Sequence, residues 1–248
     1  LLMYTSGTTG RAKGALLTHG NLLASATAVQ IAWRWEPRDC LLLTLPLFHM
    51  HGLGVGLNGS LCAGAKINLR PNFDAADVEA QSARPETSMF FGVPAIYQRL
   101  AAAVELETLR QLRLLVSGSA PLPVALAAEI AEGTGHIPLE RYGMTETVML
   151  TSNPYDGERR PGTVGFPLPG VDLRLGGENN QVEVRGPNVI AGYYRNPEAN
   201  DASFTRDGWF RTGDLGEFDS DGYLRLVGRS KELIITGGYN VYPREVEE

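Results

Sequence analysis

A run rich in glycine and hydroxyl groups extends from Tyr4 to Gly14, directly after the apolar residues 1–3. A strand that leads into such a loop presents backbone N–H groups and hydroxyls to phosphate oxygens, with Lys13 as a mobile positive charge. The run is not a Walker A loop, because no Gly-Lys-Ser/Thr follows at the required distance from the first glycine. A flexible linker is the alternative, but a lone lysine between glycines favours phosphate binding. The phosphate-binding candidates are Thr5, Ser6, Gly7, Thr8, Thr9, Gly10 and Lys13.

A second run, residues 141–147, joins an aromatic ring, a hydroxyl and a carboxylate across a glycine turn. The ring of Tyr142 can stack on a base, the hydroxyl of Thr145 can bind an α-phosphate, and Glu146 can hold a Mg²⁺ ion that bridges phosphates. A capped turn would use similar residues, so this run alone is moderately specific. Together, the two runs predict a site for a nucleotide and its phosphates.

Two further runs carry polar groups on turns. Residues 117–121 follow a predicted strand, and open α/β sheets bind ligands at the C-terminal ends of their strands, although an ordinary strand-to-helix loop is equally compatible. In the run 207–215, Asp214 lies in a glycine-framed turn, where its carboxylate can accept hydrogen bonds from both hydroxyls of a ribose. Aspartate is also common in plain turns, so Asp214 gains weight only beside the other motifs.

The glycines between Gly54 and Gly59 match the dinucleotide-binding fingerprint, with Asp74 twenty residues beyond the first glycine. Residues 46–53 separate the preceding strand from this run, whereas the fingerprint needs its glycines at the end of the strand. A closely packed glycine-bearing helix is therefore the preferred interpretation.

Apolar runs alternate with helical patterns over residues 1–160, which predicts an α/β domain with a mostly parallel sheet and flanking helices. Turn signals then become denser, and a smaller β-rich subdomain is expected over 161–229, followed by a hinge segment at 230–248. The predicted strands are 41–45, 65–69, 87–91, 112–116, 181–185 and 223–227, and the predicted helices are 18–33, 75–83 and 94–104.

The bulk composition narrows the class of protein. With 248 residues, 43% of them hydrophobic, the chain can bury a substantial core. Two cysteines are too few for a disulfide scaffold and suggest a reducing cytoplasm, and no apolar run reaches the ~20 residues of a membrane span. The net charge of −6 argues against nucleic acid as a partner. We expect a piece of a longer polypeptide, and the oligomeric state stays open.

The glycine-rich run, with the segments around Glu146, Asp214 and Arg229, resembles the adenylate-forming superfamily of acyl-CoA synthetases, adenylation domains and luciferases. Ala12 departs from the proline usual there. The resemblance implies ATP, Mg²⁺ and coenzyme A as ligands. It implies catalytic roles for Lys13, Thr145 and Glu146, and metal contacts for Glu146 and Thr8. It further implies nucleotide contacts by Gly118, Ser119, Ala120, Tyr142, Gly143, Met144, Thr145, Asp214 and Arg229, and hinge or coenzyme A contacts by Lys231, Gly237 and Gly238.

Within that superfamily, residues 45–53, 92–100 and 151–157 are similar to malonyl-CoA synthetases. This resemblance implies malonate as the acid and His49, Ser117 and Gly118 as substrate contacts. Malonate needs a cation for its second carboxylate, and Arg99 is the candidate, at the edge of the apolar face of the helix that starts at Pro94. The alternative is that Arg99 packs its stem and points to solvent.

Three other functions stay open at this point. The acid is another short one, such as methylmalonate or acetate; the acceptor is a carrier protein instead of coenzyme A; or the chain binds nucleotide without turnover. The resemblance also implies a catalytic lysine in a further C-terminal domain.

Overall fold

The computed structural model describes residues 1–5, 12–177, 179–230, 234–236 and 239–241. The strands before the middle of the chain are β1 Leu2–Thr5, β2 Lys13–Leu16, β3 Cys40–Leu43, β4 Lys66–Leu69, β5 Met89–Gly92, β6 Leu114–Ser117 and β7 Leu139–Tyr142. Those after it are β8 Thr151–Ser152, β9 Phe166–Pro167, β10 Asp172–Gly176, β11 Gln181–Arg185, β12 Phe210–Phe218, β13 Leu224–Arg229, β14 Ile234–Thr236 and β15 Tyr239–Val241.

The helices are α1 His19–Ala32, α2 Asn58–Ala63, α3 Ala75–Ser82, α4 Pro94–Ala103, α5 Val124–Thr134 and α6 Pro197–Ser203. A π-helical segment, His51–Leu57, runs into α2, and a 3₁₀ turn covers Leu106–Leu109. None of the helices within the described ranges is long and apolar enough to cross a membrane.

A central sheet has the strand order β4-β3-β5-β6-β7-β8-β9. Its first five strands are parallel, and β8 and β9 each pair antiparallel with the strand before them. A four-stranded antiparallel sheet, β10-β11-β12-β13, follows in the chain. The predicted fold class is therefore confirmed. The domain boundary expected near residue 160 stays a prediction. Strand β9 lies beyond it and still belongs to the first sheet.

Both faces of the central sheet are covered, which explains why its strands are continuous apolar runs. Leu41 and Leu43 of β3 pack in one apolar cluster, and Leu42 between them packs in a second cluster. Because successive side chains of a strand point to opposite faces, the two clusters are the two layers of the core.

Helix starts follow the signals in the sequence. Thr18 caps α1 by accepting a hydrogen bond from the backbone N–H of Asn21, Asp74 caps α3, and Pro94 opens α4. These groups satisfy N–H donors that have no partner inside the helix, or remove one. The helices predicted at 18–33, 75–83 and 94–104 are confirmed to within two residues at each end.

The glycine run that matches the dinucleotide fingerprint is a packing feature, as expected. A Cβ at Gly54 would lie 2.1 Å from Sδ of Met50, and one at Gly59 would lie 2.5 Å from the ring of Trp35. Trp35 itself packs edge-on against Phe91, with ring centroids 5.5 Å apart. The glycines let α2 and the π-helical segment lie against this aromatic core.

Two glycine substitutions separate helix propensity from packing. Gly20→Ala in α1 meets only an ordinary 3.5 Å contact with Thr18 Oγ1, so it should raise the free energy of unfolding by about 0.5–1 kcal/mol. Gly59→Ala in α2 forces the ring of Trp35 to shift, and overpacking of this kind costs about 1–3 kcal/mol. Denaturant unfolding of both variants measures this. Stabilisation by both would show that α2 does not pack as described.

Candidate functional site

A cleft of about 760 Å³ opens at the carboxyl ends of the parallel strands, where the two sheets approach each other. A recess of about 410 Å³ adjoins it and shares Ser119, Arg141, Gly143, Met144 and Arg229 with it. Of the residues predicted from the sequence, the cleft brings together Thr5, Lys13, His49, Ser119, Gly143, Met144, Thr145, Glu146 and Arg229. The recess adds Ala120, Tyr142 and Asp214.

Strand pairing explains several of these meetings. Thr5 lies opposite Lys13 across the β1–β2 pair, and Asp214 of β12 lies opposite Arg229 of β13. The predicted residues Ser6, Gly7, Thr8, Thr9, Gly10, Lys231, Gly237 and Gly238 lie outside the described residues.

Asp214 is the hub of the recess. It is buried, its carboxylate accepts a hydrogen bond from the hydroxyl of Tyr142, and its Oδ1 lies 3.1 Å from Nε of Arg229. Burial, and then the negative charge of Asp214, raises the pKa of Tyr142 well above its usual value. The phenol therefore stays protonated and keeps the carboxylate in one orientation.

Glu146 is the carboxylate of the cleft. Its side chain is buried and its Oε1 accepts a hydrogen bond of 2.9 Å from the hydroxyl of Tyr193. The ammonium of Lys13 lies over the ring of Tyr193, 5.0 Å from its centroid. A backbone hydrogen bond joins the neighbouring residues, since the N–H of Tyr194 donates to the carbonyl of Gly14 at 2.8 Å. One tyrosine thus connects the lysine and the carboxylate, which were predicted separately.

Arg141 was missed as a site residue. Its side chain is 4% exposed and lines both the cleft and the recess, and its Nε and one terminal nitrogen have no hydrogen-bond partner among the described residues. Burial lowers the pKa of this guanidinium to about 9, so it is still charged at neutral pH. A buried, unpaired cation is costly, and it makes this place suited to an anion.

The surroundings of Arg141 are shaped for it. A Cβ at Gly118 would lie 2.5 Å from its Nε, so any larger residue there would force the guanidinium to move. His51 lies on the π-helical segment with Nδ1 3.4 Å from the hydroxyl of Ser119, and its Nε2 has no partner among the described residues. Burial, and then the charge of Arg141, holds the pKa of His51 well below its usual value. His51 is therefore neutral at neutral pH.

Three residues predicted for the acid site do not line the cleft. Arg99 does not reach the cleft: Tyr97 and Leu100 form the buried face of α4, and the exposed guanidinium of Arg99 lies over the ring of Phe73, 4.5 Å from its centroid. The angular position on the helix was therefore misjudged. Ser117 points into the core and lines neither cavity, and Gly118 serves to make room for the guanidinium beside it.

Two residues that line the cleft have unusual backbone conformations. Ser119 has φ +70° and Val148 has φ +57°, in the left-handed region. For a β-branched residue such as Val148 this conformation is a genuine outlier and costs about 1–3 kcal/mol. Strain of this kind is retained where the surrounding structure fixes it, and it often marks a functional site.

Comparisons with known proteins are consistent with this geometry. A family model described as "AMP-binding enzyme" matches residues 1–194. The mitochondrial malonate–CoA ligase of Mus musculus is 39% identical and the oxalate–CoA ligase of Arabidopsis thaliana is 40% identical, each over 100% of this chain and over 50% and 51% of its own length. ATP-bound MatB from Rhodopseudomonas palustris superposes with a TM-score of 0.93 at 46% identity, covering 99% of this chain and 51% of that one. The chain thus spans about half the length of the curated relatives it matches.

Replacing the buried cation should stabilise the protein. Arg141→Met removes an unpaired buried charge and keeps most of the volume, and such exchanges are often neutral or stabilising by about 1–4 kcal/mol. Arg99→Met, on the exposed face of α4, is the control and should stay within about 0.5 kcal/mol of the parent. Thermal and denaturant unfolding without ligand measure the difference. A large loss of stability in Arg141→Met would show that the guanidinium has protein partners.

The titration of His51 should report the same charge. In Arg141→Met the imidazole loses a nearby positive charge, so its pKa should move up towards the usual value while burial still holds it below. The pKa of His51 is depressed in the folded protein, so the unfolded state binds the proton first as the pH falls. The parent protein therefore loses stability below about pH 6.5. NMR of the imidazole carbons gives the midpoint, with Arg99→Met as the control. An unchanged midpoint in Arg141→Met would contradict the contact.

Proposed function

Because the chain belongs to the AMP-binding enzyme family, we propose that it forms the nucleotide- and acid-binding part of an AMP-forming acid–CoA ligase, with malonate as the acid. An oxygen of one malonate carboxylate attacks the α-phosphorus of ATP, the bond to the bridging oxygen breaks, and pyrophosphate leaves. The thiol of coenzyme A then attacks the acyl carbon of the malonyl adenylate, loses its proton, and AMP leaves. Positioning and charge neutralisation supply most of such catalysis.

The recess suits the nucleoside. Tyr142 offers an aromatic ring for the adenine, and the carboxylate of Asp214, oriented by Tyr142 and Arg229, is a bidentate acceptor for the two ribose hydroxyls. Ser119 and Ala120 form the facing wall. These roles agree with those that the resemblance implied.

The cleft suits the phosphates. Lys13 and Thr5 lie on the paired strands at one side, and Thr145 and Glu146 lie on the turn after β7 at the other. An α-phosphate between them would meet the hydroxyl of Thr145 on one side and the ammonium of Lys13 on the other. The positive charge of Lys13 would stabilise the leaving pyrophosphate.

Glu146 fits a magnesium ion that is shared with the phosphates. Mg²⁺ is usually bound by one or two carboxylates and substrate phosphates rather than by a cage of protein ligands. In agreement, no group of three or more His, Cys, Asp or Glu side chains able to hold a metal occurs in the described parts of the chain. Tyr193 fixes the carboxylate of Glu146 towards the cleft, and the ion would neutralise phosphate charge there.

The observation that carries the choice of acid is the buried guanidinium of Arg141, two of whose nitrogens have no hydrogen-bond partner among the described residues. A monocarboxylate uses its only carboxylate in the reaction and leaves such a cation unpaired. A short dicarboxylate brings a second carboxylate, and an arginine fork can bind it through two parallel hydrogen bonds. Val93, Ile96 and Met50 give the cleft apolar walls. The names of the mouse and Arabidopsis relatives, a malonate–CoA ligase and an oxalate–CoA ligase, both specify dicarboxylates.

The cytoplasmic location expected from the composition stays a prediction.

An acid panel tests the assignment. Arg141→Met in the complete polypeptide should lower kcat/KM for malonate by about 10²-fold or more, because loss of one partner of a buried charge pair costs about 2–5 kcal/mol. Use of acetate and propionate should stay the same or rise. Arg99→Met is the matched control and should leave the ranking of acids unchanged. Coenzyme A-dependent AMP release with malonate, methylmalonate, oxalate and the two monocarboxylates gives the values.

Two results would overturn the assignment. A parallel fall for malonate and acetate in Arg141→Met would make the guanidinium structural, and a change of ranking in Arg99→Met would return the role to that residue. Preference of the parent protein for oxalate would keep the dicarboxylate class and replace the acid.

A further inference from the structure

The strained residue Val148 lies two positions after Glu146, at the end of the turn that carries Thr145. It is 2% exposed and β-branched, with φ +57°. Within the turn, the N–H of Thr147 donates to the carbonyl of Met144 at 3.1 Å. The direction of the turn therefore depends on a conformation that valine does not adopt readily, so some other group must hold it.

That group is the side chain of Asn188, forty residues after Val148 in the chain. Its Nδ2 donates to the carbonyl of Thr147 and to the carbonyl of Met149, both at 2.8 Å, and these two carbonyls flank Val148. Asn188 is 2% exposed, and its Oδ1 has no hydrogen-bond partner among the described residues. The amide therefore acts through its two donors, which hold the carbonyl groups of the residues on either side of the strained residue.

The room for this amide is built into the loop that carries it. A Cβ at Gly186 would lie 2.6 Å from Oδ1 of Asn188 and 2.7 Å from the carbonyl oxygen of Gly170. Ile190, two residues after Asn188 in the same loop, donates its N–H to the carbonyl of Glu146 at 2.9 Å. The loop thus holds the turn at three carbonyls, one of them on Glu146 itself.

A second asparagine holds the loop in the same way. Nδ2 of Asn21, at the start of α1, donates to the carbonyls of Pro187 and Val189 at 2.8 and 2.9 Å, and these flank Asn188. The Oδ1 of Asn21 accepts a hydrogen bond from the backbone N–H of Thr18, just after β2, the strand on which Lys13 lies. Hydrogen bonds thus run from the lysine strand to the turn of Thr145.

From these contacts we propose that Asn188 is a positioning residue for adenylate formation: it holds Val148 in the left-handed conformation and thereby aims Thr145 and Glu146 at the α-phosphate. The proposal rests on the proposed function for its kinetic consequence, and on the geometry alone for its structural one. Since a shift of about 1 Å in a positioned group can cost 10²-fold in rate, the effect should be on kcat.

The matched control is Asn153. It is also 2% exposed, and its Nδ2 donates to the carbonyl of Thr163 at 2.8 Å and to that of Glu140 at 3.4 Å. Asn153 lines neither the cleft nor the recess. Loss of its amide should therefore cost stability of a similar kind without moving the turn.

Malonate-dependent ATP–pyrophosphate exchange, normalised to folded protein, tests the kinetic part. Asn188→Ala should lower kcat by about 10²-fold with KM for ATP changed by less than about fivefold, whereas Asn153→Ala should keep kcat within about threefold. A loss of kcat in Asn188→Ala no larger than that in Asn153→Ala would overturn the proposal. If Asn188→Ala does not fold, Asn188→Ser, which keeps one donor, takes its place in the same comparison.

Rescue separates positioning from stability. Glycine adopts positive φ readily, so in a Val148→Gly background the turn no longer depends on Asn188. Asn188→Ala in that background should lose less than about fivefold in kcat, although its Tm stays low because the two carbonyls still lack donors. If the loss of kcat in the double variant equals the product of the losses in the two single variants, the proposal is contradicted.

Hydrogen exchange gives a readout that needs no activity. Amide exchange over residues 145–150 should be at least about tenfold faster in Asn188→Ala than in the parent, and unchanged in Asn153→Ala. Adding Val148→Gly to Asn188→Ala should slow the exchange back towards that of the parent. If the parent itself adenylates no acid while this pattern appears, the proposed function fails and the positioning role stands. Unchanged exchange in Asn188→Ala would remove the role whatever the activity.

Discussion

A guanidinium held away from water, with two nitrogens that have no hydrogen-bond partner among the described residues, is the constraint on which the cleft depends. Desolvation of such a group costs several kcal/mol unless an anion or a set of acceptors compensates for it. The chain retains this cost at Arg141 and leaves room for the side chain by placing glycine at position 118. His51 beside it is kept neutral by burial and by the same charge, so it does not add to the repulsion. A fold selected for stability alone would have an apolar residue here, which indicates that the cation is kept for a ligand.

The end of β7 serves both halves of the site. Arg141 and Tyr142 are successive residues of this strand, and their side chains leave it in different directions, one to the space beside Gly118 and the other to Asp214 of β12. The turn that follows carries Thr145 and Glu146. In the proposed function, the acid and the nucleotide are held by adjacent residues of one short strand, so a small shift of that strand or its turn would affect both. This explains why buried hydrogen bonds converge on the turn from the loop after β11, which carries Asn188 and Ile190.

Features set by local chemistry could be predicted from the sequence, and features set by distant contacts could not. The capped helix starts at Thr18, Asp74 and Pro94 depend on neighbours in the chain, and the parallel apolar strands on continuous burial. Arg99 was expected at the edge of the apolar face of α4 but lies on its exposed side, because a helical pattern fixes which residues share a face only to within a sizeable angle. Arg141 was missed because β7, the strand that carries it, was not among the predicted strands. No signal marked Val148, since its backbone is fixed by an asparagine forty residues farther along the chain.

The most direct test of the central claim is a crystal structure of the complete polypeptide with AMP and malonate bound. The account predicts one malonate carboxylate near the α-phosphate and the other within about 2.7–3.2 Å of the Arg141 guanidinium nitrogens, in a two-bond contact. A structure in which that second carboxylate lies in solvent or against another cation, with Arg141 still unpaired, would contradict it.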